Sequence, residues 1–126
     1  MVPDWRRIEL DVALPNGLVF LMDVESGQVP EWSESAVFST WSCIAVGARH
    51  EQEGNVRIVL ERVSEQGGEP CTFEAVLDAP RGALNLVNVY NETLTEVKVG
   101  RDRVRAKVWI DDLLAAASIR IVVAES

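Results

Sequence analysis

Hydrophobic residues occupy every second position along much of this chain. The alternation is clearest at positions 8–12, 56–60 and 103–110. Because successive side chains of a strand point to opposite faces, this spacing predicts a sheet with one dry face and one wetter face. The pattern therefore indicates a β architecture, and by itself it says nothing about function.

Turn residues divide the alternating pattern into about nine predicted strands. These strands are residues 5–14, 18–23, 41–49, 56–63, 71–78, 84–90, 93–99, 103–110 and 118–124. No repeated helix-length segment separates them, so a parallel sheet with crossover helices is not expected. We predict an all-β fold over residues 1–126. It is a single-domain antiparallel β-sandwich of about eight or nine strands with at most one or two short helical turns.

Local signals refine this prediction. Asn16-Gly17 readily takes positive φ and predicts a hairpin between the first two strands, and the turn at 100–102 predicts a second hairpin. The second strand is apolar on both sides, which is typical of a central, covered strand. A change of parity within 84–90 predicts a β-bulge. A serine cap at Ser33 predicts a short helix over 34–40, and an aspartate cap predicts one helical turn over 111–117.

Composition and length fit an ordinary globular domain. The chain has 126 residues, of which 48% are hydrophobic and 25% charged, so it can bury a real core. Its apolar runs are too short to cross a bilayer, and its first residues do not resemble a secretory signal. We therefore expect a cytoplasmic protein. Cys43 and Cys71 lie in apolar stretches and are expected to be buried thiols rather than a disulfide.

Motifs that would carry catalysis or bind a metal are missing from the sequence. His50, the single histidine, has no partners at ligand spacing. Gly67-Gly68 lacks the spacing and the following helix of a phosphate loop, and Asp111-Asp112 is not part of a patterned calcium loop. We expect no catalytic residues, no metal site and no cofactor, and hence a protein that is not an enzyme.

Charge is distributed unevenly. The net charge is −8, which argues against non-specific binding to nucleic acid or to an anionic membrane. No Lys or Arg lies between Arg7 and Arg49, whereas six acids do: Glu9, Asp11, Asp23, Glu25, Glu31 and Glu34. One predicted hairpin is basic, with Lys98, Arg101, Arg103, Arg105 and Lys107. These charges either form separate surfaces that steer a partner or neutralise each other in the fold, and the sequence leaves both open.

Four tryptophans offer candidate contact residues. Trp41 is expected in the core, and Trp5 lies near the N-terminus. Trp32 lies in the acidic connecting segment, and Trp109 falls on the charged side of its strand. Exposed aromatic residues of this kind are typical of protein interfaces or sugar platforms, although each could instead cover an edge of the sandwich.

One family resembles this chain in the order of its elements. The strand at 18–23, followed by Val29-Pro30-Glu31-Trp32-Ser33-Glu34-Ser35-Ala36, resembles the competence J-type proteins, and residues 45–49, 56–60, 108–110 and 119–123 continue the similarity. The resemblance implies a small cytosolic, non-enzymatic protein that binds and blocks a DNA-entry nuclease. It transfers no catalytic residue and no interface motif.

We hypothesise an inhibitor or immunity-type protein whose acidic surface covers the basic active site of a nuclease. The candidate partner-binding residues are Trp32, Glu31 and Glu34, followed by Asp23 and Glu25. One alternative is a carbohydrate- or small-ligand-binding β-sandwich with Trp32 and Trp109 as stacking platforms. The other is an enzyme whose site is assembled from distant carboxylates. Direct binding to nucleic acid or a membrane is not expected, and a homodimer through sheet edges stays open.

Overall fold

The computed structural model of the protein describes residues 5–25, 27–31, 33–64 and 68–124. Ten strands and two short 3-10 turns lie in these ranges. The 3-10 turns are Pro15–Gly17 and Glu51–Glu53. The strands are β1 Arg7–Val12, β2 Leu18–Met22, β3 Val37–Ser39, β4 Cys43–Gly47, β5 Val56–Val63, β6 Phe73–Asp78, β7 Ala83–Asn88, β8 Thr93–Lys98, β9 Arg103–Ile110 and β10 Ser118–Ala124.

The strands form two five-stranded sheets, and this confirms the predicted all-β sandwich. The first sheet has the order β1-β5-β10-β9-β6, and the second has the order β3-β4-β2-β7-β8. Across the described ranges every pair is antiparallel except β5 and β10. That parallel pair departs from the prediction. It arises because β10 is antiparallel to β9, its neighbour in sequence, and inserts beside β5.

The core lies between the two sheets, as the alternation predicted. Val56, Ile58 and Leu60 of β5 are buried and pack in one cluster with Leu21 and Ile44 of the second sheet. Truncating one of the larger aliphatic side chains in this cluster to alanine costs about 2–5 kcal/mol, because it removes buried surface and leaves a cavity. β2 is the middle strand of its sheet, as predicted. A second apolar cluster lies on its other side: Phe20, Met22, Cys43, Ala45 and Val87.

Both predicted hairpins are wrong, although their turn chemistry is right. Asn16 has φ 56° and Gly17 has φ 63°, as the Asn-Gly pair predicted. β1, however, pairs with β5, and β2 belongs to the other sheet. β8 and β9 are likewise in different sheets. Both turns pass the chain from sheet to sheet. β1 pairs with β5 while β2 pairs with β4 and β7, and β8 pairs with β7 while β9 pairs with β6 and β10.

The two predicted helical turns are also wrong, whereas the bulge is confirmed. In place of a helix over 34–40, β3 pairs with β4, and the Ser33 hydroxyl accepts a hydrogen bond from the Ser35 amide in a local turn at 3.1 Å. Residues 111–117 form a non-helical loop. The register of β7 against β8 shifts between Leu86 and Val87, where the parity change predicted a bulge.

Of the three side chains Cys43, Cys71 and Trp41, which the sequence predicts to be buried, only Cys43 is fully buried. Cys43 is fully buried and Cys71 is half-buried, and both are free thiols. Trp41, expected in the core, is 72% exposed, because β4 begins only at Cys43 and Trp41 lies in the turn before it. Among the described residues, no helix has the length and apolar character needed to cross a bilayer.

Candidate functional site

Four strand connections meet at one end of the sandwich, which we call the acidic end: residues 13–17, 33–36, 48–55 and 111–117. Three backbone hydrogen bonds join them. The Ala48 amide donates to Gly17 at 2.7 Å, the Gly47 amide donates to Ala36 at 2.7 Å, and the Arg49 amide donates to Ala116 at 2.9 Å. Segments that are distant in sequence therefore form one continuous surface.

The acidic end carries five carboxylates: Glu34, Glu51, Glu53, Asp111 and Asp112. All five side chains belong to exposed residues. The same four connections contain one arginine, Arg49, whose Nε donates to the carbonyl oxygen of Asn55 at 2.9 Å. The arginine is thus engaged by the backbone, and the surface has a strong excess of negative charge.

Two adjacent leucines project from the acidic end. Leu113 is 67% exposed and Leu114 is 95% exposed. They line a shallow depression of about 210 Å³ together with Asn16, Glu34 and Phe38. The surface here thus combines an exposed apolar pair with neighbouring carboxylates.

Side chains of the same loop hold the leucines in place. The Asp112 carboxylate accepts hydrogen bonds from the amides of Leu114 at 2.8 Å and Ala115 at 3.4 Å. The Asp111 carboxylate accepts from Ala117 at 3.0 Å and Ser118 at 3.1 Å. The Asp112 bonds are those of a helix cap, but Asp111 takes the amides of Ala117 and Ser118, which a continuing helix would bond to backbone carbonyl oxygens, and the segment is a loop.

The predicted partner-binding residues do not form one group. Glu34 belongs to the acidic end, and Glu31 is exposed. Glu25 lies at the opposite end, because the Gln28 amide donates to the Ser42 hydroxyl just before β4. Gln28 is thus bonded beside the start of β4 and Ala36 beside its end. The five extended residues of β4 span about 16 Å. Trp32 lies outside the described residues.

Asp23 lies inside the fold, where it has a structural role. Its side chain is fully buried, and Oδ1 accepts from Arg81 Nε at 3.0 Å and from the Glu25 amide at 3.0 Å. The Asp23 carboxylate also raises the pKa of Arg81. Burial under Arg81 means that Asp23 does not present its carboxylate at the surface, contrary to its ranking as a contact residue.

The opposite end of the sandwich, which we call the Trp41 end, comprises residues 23–25, 27–28, 40–42, 79–82 and 99–102. An open depression of about 710 Å³ lies here. It is lined by Gln28, Trp41, Ser42, Asp78, Pro80, Asp102 and Arg103. Charges of both signs surround the exposed indole, so this end lacks the one-signed character of the acidic end.

The three basic residues of β9 pair with two acidic residues of β6. Arg103 pairs with Asp78 at 3.4 Å, and Arg105 pairs with Glu74 at 3.2 Å. Lys107 also lies 3.6 Å from Glu74. Of the two interpretations that the sequence left open, pairing within the fold applies to these three basic residues, and it follows from the antiparallel register of the two strands.

Trp109 is held by its neighbours rather than presented as a platform. Its indole Nε1 donates to the carbonyl oxygen of Pro70 at 2.7 Å. The guanidinium carbon of Arg120 lies 4.7 Å from the ring centroid, a cation–π arrangement that covers one face of the ring. Arg120 is itself fixed by Glu61 at 2.9 Å.

Reactive side chains do not converge in the described residues. The His50 ring Nδ1 accepts a hydrogen bond from the Gln52 amide at 3.1 Å, as the cap of the turn Glu51–Glu53. Burial raises the pKa of the Cys43 thiol to about 12. Within the described ranges, no group of three or more His, Cys, Asp or Glu side chains could hold a metal ion.

Sequence reasoning missed most of the acidic end. The sequence predicts an aspartate cap at 111–112, whereas Glu51 and Glu53 lie in a polar stretch far from it in the chain. The Leu113–Leu114 pair falls within the predicted helical turn over 111–117. A signal was present, because two leucines directly after two aspartates do not continue the two-residue alternation of the strands on either side.

Comparison with known proteins finds one similar structure. No protein-family model matches the chain, and no curated protein matches its sequence. A search of solved structures finds ComJ from Bacillus subtilis, described as the inhibitor of the DNA-degrading activity of NucA. The match covers 100% of this chain and 99% of ComJ, with a TM-score of 0.52 and 11% sequence identity. The chain therefore shares its fold with ComJ, which confirms at the level of fold the resemblance to the competence J-type proteins.

Proposed function

We propose that this protein is a non-enzymatic inhibitor that binds a DNA-degrading nuclease. The carrying observation is that its fold matches, over the whole chain, that of ComJ, an inhibitor of such an activity. The described residues offer a contact surface at the acidic end, and none of them forms a nucleophile–base pair or a metal cluster of the kind that hydrolysis uses.

The acidic end suits this partner because a nuclease must hold DNA phosphates with Lys and Arg side chains. The five carboxylates of the acidic end would occupy those cationic positions and exclude the substrate. Oppositely charged surfaces also speed the encounter of two proteins. Because Asp78 and Glu74 of β6 pair with the basic residues of β9, most of the positive charge of that strand is offset within the fold.

The five candidate partner-binding residues have different roles under this proposal. Glu34 belongs to the contact surface directly, and Glu31 and Trp32 stay candidates because they immediately precede the segment 33–36 in the chain. Glu25 is largely exposed at the Trp41 end, where it lies 3.4 Å from Arg81, and it is not part of the contact surface. Asp23 acts indirectly, by fixing the connection that follows β2.

A titration of nuclease activity tests the proposal. The purified chain is added to the DNA-degrading nucleases encoded in the genome that carries it, with NucA from Bacillus subtilis included, and hydrolysis of plasmid DNA is followed. We expect at least one nuclease to lose its activity near equimolar inhibitor. Full activity of every nuclease in excess inhibitor contradicts the proposal.

A second candidate function, binding of a carbohydrate or another small ligand, is favoured by the Trp41 depression. An exposed indole beside Gln28, Asp78 and Asp102 combines a stacking face with hydrogen-bonding groups. Tryptophan fluorescence is titrated with a glycan panel, and Trp41→Phe serves as the control. Saturable change that disappears in the variant supports this function, and an unmoved spectrum contradicts it.

A further inference from the structure

We propose that the loop 111–117 is a preformed anchor that places Leu113 and Leu114 in an apolar pocket on the nuclease, beside its basic DNA-binding cleft. This inference rests on the proposed function and identifies the contact within it. The observation behind it is a pair of adjacent leucines, 67% and 95% exposed, on a loop that is otherwise well bonded.

Exposure of these two side chains is unfavourable in the isolated protein. Burial of apolar surface lowers the free energy of the system. A partner that covers the two leucines therefore binds more tightly. Ala116, two residues after Leu114, is fully buried in the core. The chain therefore turns outward at the leucines and returns to the core directly after them.

The loop is fixed at several points before any partner arrives. Asp112 accepts from the Leu114 amide at 2.8 Å, and Asp111 accepts from the Ala117 amide at 3.0 Å. The Ala116 and Ala117 carbonyl oxygens accept from the Arg49 and Arg57 amides, both at 2.9 Å. A contact that is already ordered loses less conformational entropy on binding, so this loop suits an anchoring role.

Charge complementarity identifies the occupant. Glu34 lines the same depression as the leucines, and Asp111 and Asp112 directly precede them in the loop. The matching surface is therefore an apolar pocket rimmed by Lys or Arg, as beside a cleft that holds DNA phosphates. A second copy of this chain would bring like charges together, and an anionic membrane would repel the same carboxylates.

Each of the two aspartates has two roles that substitutions can separate. As hydrogen-bond acceptors they order the loop, and as charges they attract the basic rim. Asparagine keeps a side-chain oxygen that can accept the amide bonds but carries no charge, whereas alanine removes both. Comparison of Asp112→Asn with Asp112→Ala therefore reports on loop order apart from charge.

The test uses the full chain and a nuclease that the wild-type protein inhibits. The double variant Leu113→Ser/Leu114→Ser removes the apolar contact without changing charge, and Leu114→Ser alone is a milder version. Val76→Ser is the matched control, because Val76 is an exposed aliphatic residue on β6, away from the acidic end. Circular dichroism and thermal unfolding establish that each variant is folded.

We expect the double variant to weaken inhibition by about 30-fold or more, as for a central contact residue. Val76→Ser should stay within about twofold of wild type. Asp112→Ala should weaken inhibition more than Asp112→Asn, because only alanine releases the loop.

The outcomes separate the two proposals. If the wild-type chain inhibits no nuclease, the proposed function fails, and this inference fails with it. If the wild type inhibits and the double variant inhibits equally well, the inference is overturned while the proposed function stands. If sedimentation shows a wild-type dimer that the double variant dissociates, the leucines serve self-association, and the inference is likewise overturned.

Discussion

Arg81 Nε lies 3.0 Å from Oδ1 of Asp23, and this ion pair joins the connection after β2 to the connection between β6 and β7. Asp23 is fully buried, whereas Arg81 reaches the surface. The same carboxylate oxygen accepts the Glu25 amide. A residue that the acidic run of the sequence suggested as a partner contact is thus part of the internal structure of the Trp41 end.

Removal of Arg81 should destabilise the fold. Arg81→Ala leaves the Asp23 carboxylate buried without this cation, and we expect a loss of about 2–3 kcal/mol in the free energy of unfolding. Glu25, 3.4 Å from Arg81 but largely exposed, is the control. Glu25→Gln should cost less than about 0.5 kcal/mol. Urea denaturation measures both variants, and equal effects would contradict this account of the pair.

Cys43 should resist thiol reagents in the folded protein. Burial raises its pKa from 9.0 to about 12, so almost no thiolate exists at pH 8, and the core blocks access. With Ellman's reagent we expect Cys71 to react first and Cys43 only after urea is added. Equal rates for both thiols in native buffer would show that Cys43 is not held in the core.

The same thiol gives a pH dependence of stability with a definite sign. The folded state favours the neutral thiol, so its contribution to stability is complete below pH 9 and declines as the pH rises toward about 12. The variant Cys43→Ala lacks this titration. The difference in unfolding free energy between the two proteins should therefore shrink above pH 9, which denaturation at several pH values measures.

Direct DNA binding should be absent despite the basic residues of β9. Arg103 and Arg105 pair with Asp78 and Glu74, and the net charge of −8 repels a polyanion. Fluorescence anisotropy with a labelled duplex should show no saturable binding up to about 100 μM protein at physiological salt, which is the weak end of ordinary non-specific affinity. Saturation in the low micromolar range would show that the ion pairs open and that β9 contacts phosphates.

Two glutamates of one segment provide a matched test of surface charge. Glu34 lies at the acidic end and Glu25 at the Trp41 end, so reversal of each to lysine changes the net charge equally. We expect Glu34→Lys to slow association with the nuclease by about three- to tenfold at low salt, and Glu25→Lys to have a smaller effect. Stopped-flow or surface plasmon resonance measures both rates. Equal slowing would indicate that only net charge matters.

Much of the fold was predictable, because its strands follow the two-residue alternation closely. β5, β9 and β10 lie where the pattern predicted them, and the parity change in β7 marks a true bulge. Strand pairing was not predictable from turns. Asn16 and Gly17 take the positive φ expected of a hairpin, yet the chain crosses to the other sheet there, because turn geometry does not determine which strands pair.

The candidate site was predictable only in part, for a related reason. Glu34 could be identified from the acidic run, but Glu51 and Leu114 join it only through the backbone bonds between distant connections. Ser33 shows the limit of local signals. Its hydroxyl accepts a nearby amide in the manner of a helix cap, and the chain then continues as a strand because Val37 and Phe38 pair with β4.

Hydrogen–deuterium exchange of the complex with an inhibited nuclease tests most directly whether the acidic end is the inhibitory surface. Our account predicts that amides within 33–36 and 111–117 become slower to exchange when the nuclease is bound, whereas those within 79–82 and 99–102 do not change. Protection confined to the Trp41 end, with unchanged exchange across 111–117, would contradict it.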